Sequence, residues 1–372
     1  MASVFDKPSV WRRIAPWFHG FDGPLAFAVF LLACAGMLTM YSSGFDHGTR
    51  FEDHGRNMLI AATIMFVVAQ VPPQRLMHLA LPLYVAGVLL LVAVALFGDV
   101  SKGARRWLNL GFMRAQPSEL MKIAMPLILA WFFQQREAMP RLRDYAVAAI
   151  LLLLPVGLIA RQPDLGTAIL VLAAGFYVIF FAGLSWKIMI GMAVAAVAAA
   201  PLAWNLLHDY QRNRIITLFD PEKDPLGKGF HIIQSTIAIG SGGIFGKGWK
   251  SGTQAQLEFI PERHTDFIFA VFSEEFGLFG NLMLLVLYAL LIGRGLMIAA
   301  NAATLFSRLL AGAVTMIFFT YAFVNMGMVS GILPVVGVPL PLVSYGGTAL
   351  VTLFIGIGIL MSIHGNRMLV QK

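Results

Sequence analysis

Long apolar segments alternate with short polar ones along nearly the whole chain. Each apolar segment has roughly the 20 residues that a helix needs to cross a hydrocarbon core about 30 Å thick. The pattern predicts ten transmembrane helices, at about 24–41, 57–71, 78–97, 118–135, 145–160, 165–183, 187–206, 266–293, 306–328 and 343–363. We expect an all-α polytopic membrane protein in which residues 1–372 form a single transmembrane domain.

The longest polar interval, about 207–265, is predicted to be one large extracytoplasmic loop. An even number of spans places both termini on the same side of the membrane. Lys and Arg are nearly balanced between the two sides, but seven basic residues of the side opposite the termini lie in this one loop. Because long loops translocate largely regardless of their charge, discounting them leaves the basic excess with the termini. Both termini are therefore predicted to be cytoplasmic.

The composition excludes an ordinary soluble enzyme. Hydrophobic residues make up 58% of the chain and charged residues 12%, with a mean hydropathy of +0.77, whereas soluble domains carry about 25% charged residues. The single cysteine, Cys34, lies in an apolar segment, which excludes disulfides and cysteine-based metal sites. The net charge of +8 is scattered over many loops without a basic and aromatic face, so nucleic acid is not an expected partner.

The predicted outer face is unusually basic, which favours an anionic ligand on that side. Arg106 and Trp107 follow one another in the 98–117 loop. The arginine could bind a phosphate through two hydrogen bonds, and the tryptophan could stack on a sugar. Attraction of the basic loops to anionic membrane lipids is the alternative, and a tryptophan of the interfacial belt is the alternative for Trp107.

Seven ionisable side chains crowd into residues 257–275, where the long loop meets an apolar segment. An acidic side chain near the bilayer core costs about 3 kcal/mol to insert, so such a residue indicates function. Asp266 is the strongest candidate. Glu262 could pair with it as acid and base if the chain turns between them, and His264 beside Arg263 could also transfer a proton. Spacing alone does not choose among these three groups.

Two other predicted helix starts on the outer face are also polar. Glu119 and Lys122 lie three residues apart and so share a helix face. Arg161 precedes Asp164 at the start of the next such helix. Helix capping is the alternative for Asp164 and for Asp266, because Asp is common at that position. Capping explains neither Lys122 nor Arg161, so we expect a wet, charged cavity between helices that opens outward.

Three further features of the sequence are a glycine-rich segment, a segment rich in proline and glycine, and a pair of glutamates. The segment 240–252 is glycine-rich but lacks the spacing of a phosphate-binding loop. The segment 333–347 contains three prolines and three glycines at membrane depth, where irregular backbone must be buried in protein or line a cavity. Glu274 and Glu275 are interpreted as charges paired inside the helix bundle.

Four segments together resemble one known family: GARRWLNLGFMRAQPSELMK, RQPDLGTA, PERHTDFIFAV and GILPVVGVPLPLVSYGG. The chain resembles the SEDS family (shape, elongation, division and sporulation) over nearly its whole length. PERHTDFIFAV and the short tails favour the rod-shape branch over the division branch. The resemblance implies a ten-span peptidoglycan glycosyltransferase that polymerises lipid II, with Asp266 as the essential carboxylate. It places a further set around the substrate cavity: Arg106, Trp107, Glu119, Lys122, Asp164 and Ser344. With these we group Arg161, Glu262, Arg263 and His264 as predicted substrate-binding residues.

The resemblance also implies the setting of the reaction. Asp266 would act as general base, and undecaprenyl pyrophosphate would leave. Expected partners are lipid II, the growing glycan strand, a class B penicillin-binding protein, membrane proteins of the elongation machinery, and membrane lipids. A divalent cation, Mg²⁺ or Mn²⁺, is left open at the pyrophosphate, with no organic cofactor and no all-protein metal site. The protein would lie in the bacterial inner membrane with its active site facing the periplasm.

Two other functions fit the same ligand. A lipid II flippase would share the cavity but make no bond, and it predicts polar cavity residues on both faces of the membrane. A scaffold that only recruits the crosslinking enzyme would leave Lys122 and Asp266 unexplained.

Overall fold

The computed structural model describes residues 20–43, 48–101, 104–109, 114–136, 140–207, 209–223, 227–257, 259–260 and 262–367. Ten helices of at least 17 residues lie in this part of the chain, at the ten predicted positions. They are α1 (Gly23–Ser43), α2 (Arg50–Ala69), α3 (Pro73–Phe97), α4 (Pro117–Gln134), α5 (Leu142–Arg161), α6 (Leu165–Phe181), α7 (Trp186–Leu206), then α11 (Ile268–Ala300), α12 (Leu305–Val329) and α13 (Gly347–Arg367). Between α7 and α11 lie three shorter helices: α8 (Asp209–Phe219), α9 (Lys228–Ser241) and α10 (Thr253–Gln256).

The protein is a polytopic helical membrane protein. Among the described helices, six are long and apolar enough to cross a bilayer, namely α1, α3, α5, α11, α12 and α13. The helices α6 and α7 are apolar but shorter over their apolar part. The helices α2 and α4 carry charges in their first two turns, such as Arg50 in α2 and Glu119 in α4.

The helices α4, α12 and α13 form the centre of the bundle. Most residues of α4 are buried, and the apolar windows of α12 and α13 are 72% and 67% buried, whereas those of α3, α5 and α11 are only about a third buried. Around this centre α2 packs on α13, α11 packs on α12 and α1, and α6 packs on α12 and α4. The outer helices therefore present most of their apolar surface to lipid, as bundles in membranes do.

The loop between α3 and α4 contains a small antiparallel sheet that the all-α prediction missed. Its strands are β1 (Asp99–Ser101), β2 (Ala104–Asn109) and β3 (Arg114–Ala115), in the order β1-β2-β3. These strands are too short for an alternating hydrophobic pattern to stand out. The sheet matters for the site because β2 carries Arg106 and Trp107.

The predicted continuous helix at 266–293 is wrong at one point, because Gly277 interrupts α11. Gly277 has φ +63° and ψ −160°, a conformation open essentially to glycine alone. The amides of Leu278 and Phe279 donate instead to the carbonyls of Gly243 and Ile244, at 2.9 and 3.0 Å. A Cβ at Gly277 would overlap the Gly246 amide. The glycine-rich segment 240–252 thus serves as a close packing partner for the break in α11.

The carboxylates of Glu274 and Glu275 lie just before this break and are buried, as predicted. Glu274 accepts hydrogen bonds from Lys247 Nζ at 2.7 Å and from the Gln254 amide at 3.1 Å. Glu275 accepts from the Ser42 hydroxyl at the end of α1 and from the Lys250 amide at 3.1 Å. These bonds join the glycine-rich segment to α1 and α11.

The segment between α12 and α13 is irregular, and its second half is buried in protein, as expected for broken backbone of this kind. Leu340, Leu342 and Val343 are almost completely buried. The Tyr288 hydroxyl of α11 donates to the Pro341 carbonyl at 2.6 Å. The backbone of Leu342 lies so close to Gly36 of α1 that a Cβ there would overlap it. We call residues 331–346 the re-entrant segment.

Candidate functional site

Asp266 lies in a tight turn directly before α11. The amides of Thr265 and Phe267 both donate to the Glu262 carbonyl, at 3.1 and 3.3 Å, so the chain does turn between Glu262 and Asp266. The cap residue of α11 is Phe267, which makes no side-chain capping hydrogen bond. Asp266 is therefore not the cap residue of this helix.

Three consecutive carbonyls of this turn accept hydrogen bonds from distant parts of the chain. The His264 carbonyl accepts from the Tyr345 amide at 2.9 Å. The Thr265 carbonyl accepts from the Ser344 hydroxyl at 2.7 Å, and the Asp266 carbonyl accepts from Asn325 Nδ2 at 2.8 Å. The backbone that carries the Asp266 side chain is thus held on three successive residues.

The Asp266 carboxylate lies against the re-entrant segment. A Cβ at Gly337 would be 3.3 Å from Asp266 Oδ2, and Gly337 has φ +79°. A side chain there would therefore be strained and would crowd the carboxylate. Asp266 is partly exposed, whereas Arg263 and His264 on the same turn are buried.

Lys122 is 3% exposed and forms the centre of a second polar cluster, which links three helices. Its Nζ lies 2.6 Å from Glu119 Oε1 and 2.6 Å from the Tyr321 hydroxyl of α12. Thr352 of α13 donates to the other oxygen of Glu119 at 3.2 Å. Two of the three N–H groups of Lys122 are used in this way, and within the described part of the chain the third has no protein acceptor.

The central helix α12 brings the two clusters together. Tyr321, which contacts Lys122, and Asn325, which contacts Asp266, are four residues apart. Residues with this spacing lie on one helix face with Cβ atoms roughly 6 Å apart. The base candidate Asp266 and the buried cation Lys122 therefore meet the same face of α12 about one turn apart.

Asp164 belongs to a third cluster, at the start of α6. Its carboxylate caps the helix by accepting from the Thr167 amide at 3.3 Å, so the capping alternative holds for this residue. The same carboxylate accepts from Gln116 Nε2 at 3.1 Å, and Arg106 Nη2 donates to the neighbouring Pro163 carbonyl at 2.5 Å. Gly166, two residues on, packs against the Val336 carbonyl of the re-entrant segment.

The other predicted substrate-binding residues have varied positions. Arg161 is exposed at the last turn of α5, and Trp107 is half-buried on β2. The Arg263 guanidinium donates to the Ala255 carbonyl, and Glu262 accepts from the Thr265 hydroxyl at 3.1 Å.

Ser344 contacts the Asp266 turn directly. Its hydroxyl donates to the Thr265 carbonyl and accepts from the Leu340 amide, each at 2.7 Å. Ser344 therefore supports the Asp266 turn from behind.

Four residues of these clusters were not predicted from the sequence to belong to the site: Gln116, Tyr321, Asn325 and Thr352. One signal was available. Tyr321 and Asn325 are polar groups spaced four apart inside a predicted transmembrane helix, and buried polar groups at such positions need partners. In the described residues, no group of three or more His, Cys, Asp and Glu side chains could hold a metal ion.

Comparison with known proteins shows that the chain is similar to cell-wall enzymes. A family described as "Cell cycle protein", with FtsW, RodA and SpoVE as its namesakes, matches residues 24–368. The chain is 55% identical over 369 residues to the peptidoglycan glycosyltransferase MrdB of Escherichia coli K12, covering 99% of this chain and 98% of MrdB.

Two solved structures share the fold. A peptidoglycan synthase complex, described as coordinating polymerization and crosslinking, has a chain that is 37% identical with a TM-score of 0.81. The match covers 93% of this chain and 98% of that one. The rod shape determining protein RodA of Thermus thermophilus is 31% identical with a TM-score of 0.71, covering 93% and 97%.

Proposed function

The chain belongs to the FtsW/RodA/SpoVE family of cell cycle proteins, and we propose that Asp266 is the general base of its reaction. The protein is a peptidoglycan glycosyltransferase. The observation that supports the role of Asp266 is its setting: a partly exposed carboxylate on a turn whose three carbonyls are held in place. A base must be positioned within hydrogen-bond reach of the proton that it removes.

In the proposed reaction, lipid II supplies the units of the glycan strand, and the donor carries undecaprenyl pyrophosphate on its anomeric carbon. Asp266 takes the proton from the C4 hydroxyl of the acceptor's terminal GlcNAc. The hydroxyl oxygen then attacks the anomeric carbon of the donor, and the bond to undecaprenyl pyrophosphate breaks.

The negative charge that develops on the pyrophosphate needs a nearby cation. Lys122 fits this role, because its ammonium is held by Glu119 and Tyr321 and has one N–H left for a substrate oxygen. A divalent cation, where one takes part, would be held by a carboxylate such as Asp266 and would stabilise the negative charge on the pyrophosphate.

We also propose the setting from the resemblance and from the comparisons. Both termini would be cytoplasmic, and the Asp266 turn would face the periplasm from the bacterial inner membrane. A class B penicillin-binding protein would crosslink the product, in keeping with the synthase complex that this chain resembles. Other membrane proteins of the elongation machinery and anionic lipids would complete the surroundings.

The packing on the inner side of Lys122 favours a polymerase over a flippase. Apolar side chains of α4, α12 and α13 close around a void of only about 10 Å³, lined by Ile123, Val314, Ile317, Phe318, Leu353 and others. Such a void holds about one water molecule at most. A flippase would need room for a sugar headgroup on this route.

The test is polymerisation of purified lipid II by the full chain, with and without its transpeptidase partner. Asp266→Asn should lower the rate about 10²–10⁴-fold, the usual contribution of a positioned general base. Asp209→Asn serves as the matched control and should keep its activity, because the Asp209 side chain is 96% exposed on α8. Near-normal product from Asp266→Asn would overturn the base assignment.

A further inference from the structure

Asn325 is a fully buried amide near the C-terminal end of α12, a largely buried helix. Its Nδ2 donates two hydrogen bonds, to the Asp266 carbonyl at 2.8 Å and to the Val338 carbonyl at 2.7 Å. Both acceptors are carbonyl oxygens, so only the NH₂ end of the amide can face them, and this fixes the orientation of the side chain. Burying an amide is costly unless it is hydrogen-bonded, and here both N–H donors are used while Oδ1 is buried with no partner among the described residues.

The two acceptors belong to different parts of the chain, 59 and 13 residues from Asn325 in sequence. One is the backbone of Asp266 itself. The other follows Gly337, the residue against which the Asp266 carboxylate lies. One amide group therefore connects the turn that carries the carboxylate to the wall that the carboxylate faces.

The geometry points to Asn325 as a positioning residue for the transfer reaction. This inference rests on the proposed function of Asp266. Asn325 sets the separation between the Asp266 turn and the re-entrant segment, and thereby the direction of the carboxylate. A misplacement of about 1 Å costs on the order of 10²-fold in rate, so loss of this connection affects the chemical step.

The expected signature is a loss in kcat with an unchanged KM. Asn325→Leu keeps the size of the side chain and removes both donors. Asn325→Ser keeps one hydroxyl donor. In lipid II polymerisation by the full chain, Asn325→Leu should lower kcat about 10²-fold and Asn325→Ser should lie between it and the wild type. The KM for lipid II should stay within about twofold, because the residues that hold the substrate are intact.

The matched control is Thr315→Val on the same helix. Thr315 is fully buried, and its hydroxyl donates only to the Ala311 carbonyl one turn away, at 2.8 Å. This variant also loses a buried hydrogen bond of α12, but it should keep its kcat. Thermal denaturation of both variants separates loss of folding from loss of chemistry.

A double-mutant cycle tests whether Asn325 acts through Asp266. In an Asp266→Asn background, Asn325→Leu should lower the residual rate less than about twofold, because the group that it positions is absent. If Asn325→Leu lowers the rate about 10²-fold in the Asp266→Asn background as well, the positioning role is overturned. It is also overturned if Asn325→Leu alone keeps the wild-type kcat while Asp266→Asn alone is inactive. Neither outcome affects the assignment of Asp266 as the base. Near-normal activity of Asp266→Asn overturns the base assignment, and with it any role of Asn325 that depends on this base.

Discussion

Among single residues, Lys122 is a charged side chain buried inside an apolar helix, where it is stabilised by neighbouring groups. The ammonium is paired with Glu119 and also contacts the Tyr321 ring, 5.1 Å from its centroid. A buried ion pair adds little net stability over an apolar pair, but removing one partner leaves an uncompensated charge. Net stability therefore does not explain why the pair is present, and its two members depend on each other.

This dependence predicts different effects for single and double substitutions. Lys122→Met should lower the free energy of unfolding by about 3–5 kcal/mol, because Glu119 keeps its charge with only Thr352 as a described partner. Glu119→Gln combined with Lys122→Met should regain much of this loss while staying inactive. Thermal denaturation in one detergent measures both. Equal stability of the single and double variants would contradict the expectation.

At the scale of elements, Gly277 divides α11 into two helical parts, 268–276 and 278–300. The glycine-rich segment 240–252 supplies the acceptors that the interrupted helix lacks, and the buried Glu274 and Glu275 hold that segment in return. The outer part of α11, which begins next to Asp266, is thus fixed by the large loop. This contact relates the loop to the site.

Because of this break, we expect alanine substitutions at Gly277 and Gly293 of α11 to have different effects on stability. Gly277→Ala should destabilise the protein by about 1–3 kcal/mol from backbone strain alone, and by more because of the overlap with Gly246. Gly293→Ala is the matched control, since nothing lies within 4 Å of a Cβ at that helical position. It should be neutral or stabilising by up to about 1 kcal/mol. Thermal denaturation and proteolysis of segment 240–252 would show the difference.

At the scale of the whole molecule, the end of the bundle opposite the site is tied together by Asp22. Arg294 of α11 donates to both oxygens of Asp22, at 2.6 and 3.0 Å for Oδ2 and 2.9 Å for Oδ1. His364 of α13 lies 3.4 Å from the same carboxylate. Residue 22 directly precedes α1, so one carboxylate joins the first, eighth and tenth long helices.

Burial by itself would raise the pKa of Asp22, but the hydrogen bond from Arg294 and the nearby positive charges lower it below the ordinary 3.8. A lowered pKa means that the stability from Asp22 is present above pH 3.8 and is lost as the pH falls below it. Asp22→Asn should therefore cost roughly 1.5–3 kcal/mol near pH 7, as expected for hydrogen bonds to charged groups. The difference in the free energy of unfolding between the variant and the wild type should shrink as the pH falls toward about 3, because the carboxylate becomes protonated. Thermal denaturation of the two proteins across this range checks the trend, and a constant difference would contradict it.

The positions of the ten long helices follow from the sequence alone. In lipid every backbone group of a spanning segment must be satisfied within that segment, so a long apolar run is itself sufficient to specify a helix. The same reasoning predicted that the segment around Pro341 would be buried, and that Glu274 and Glu275 would be paired. The break at Gly277 was not predicted, because a glycine inside an apolar run reads as an ordinary helical residue until a packing partner is known.

The surroundings of the site residues, in contrast, depend on the tertiary structure. Asp164 and Asp266 both precede a helix and have the same local chemistry, yet one carboxylate caps its helix and the other lies beside the re-entrant segment. The difference comes from donors such as Asn325 and Ser344, which are 59 and 79 residues away from the carbonyls that they hold. Local sequence specifies hydrogen bonds within a helix or turn, but only chain folding determines which distant donor reaches a given carbonyl.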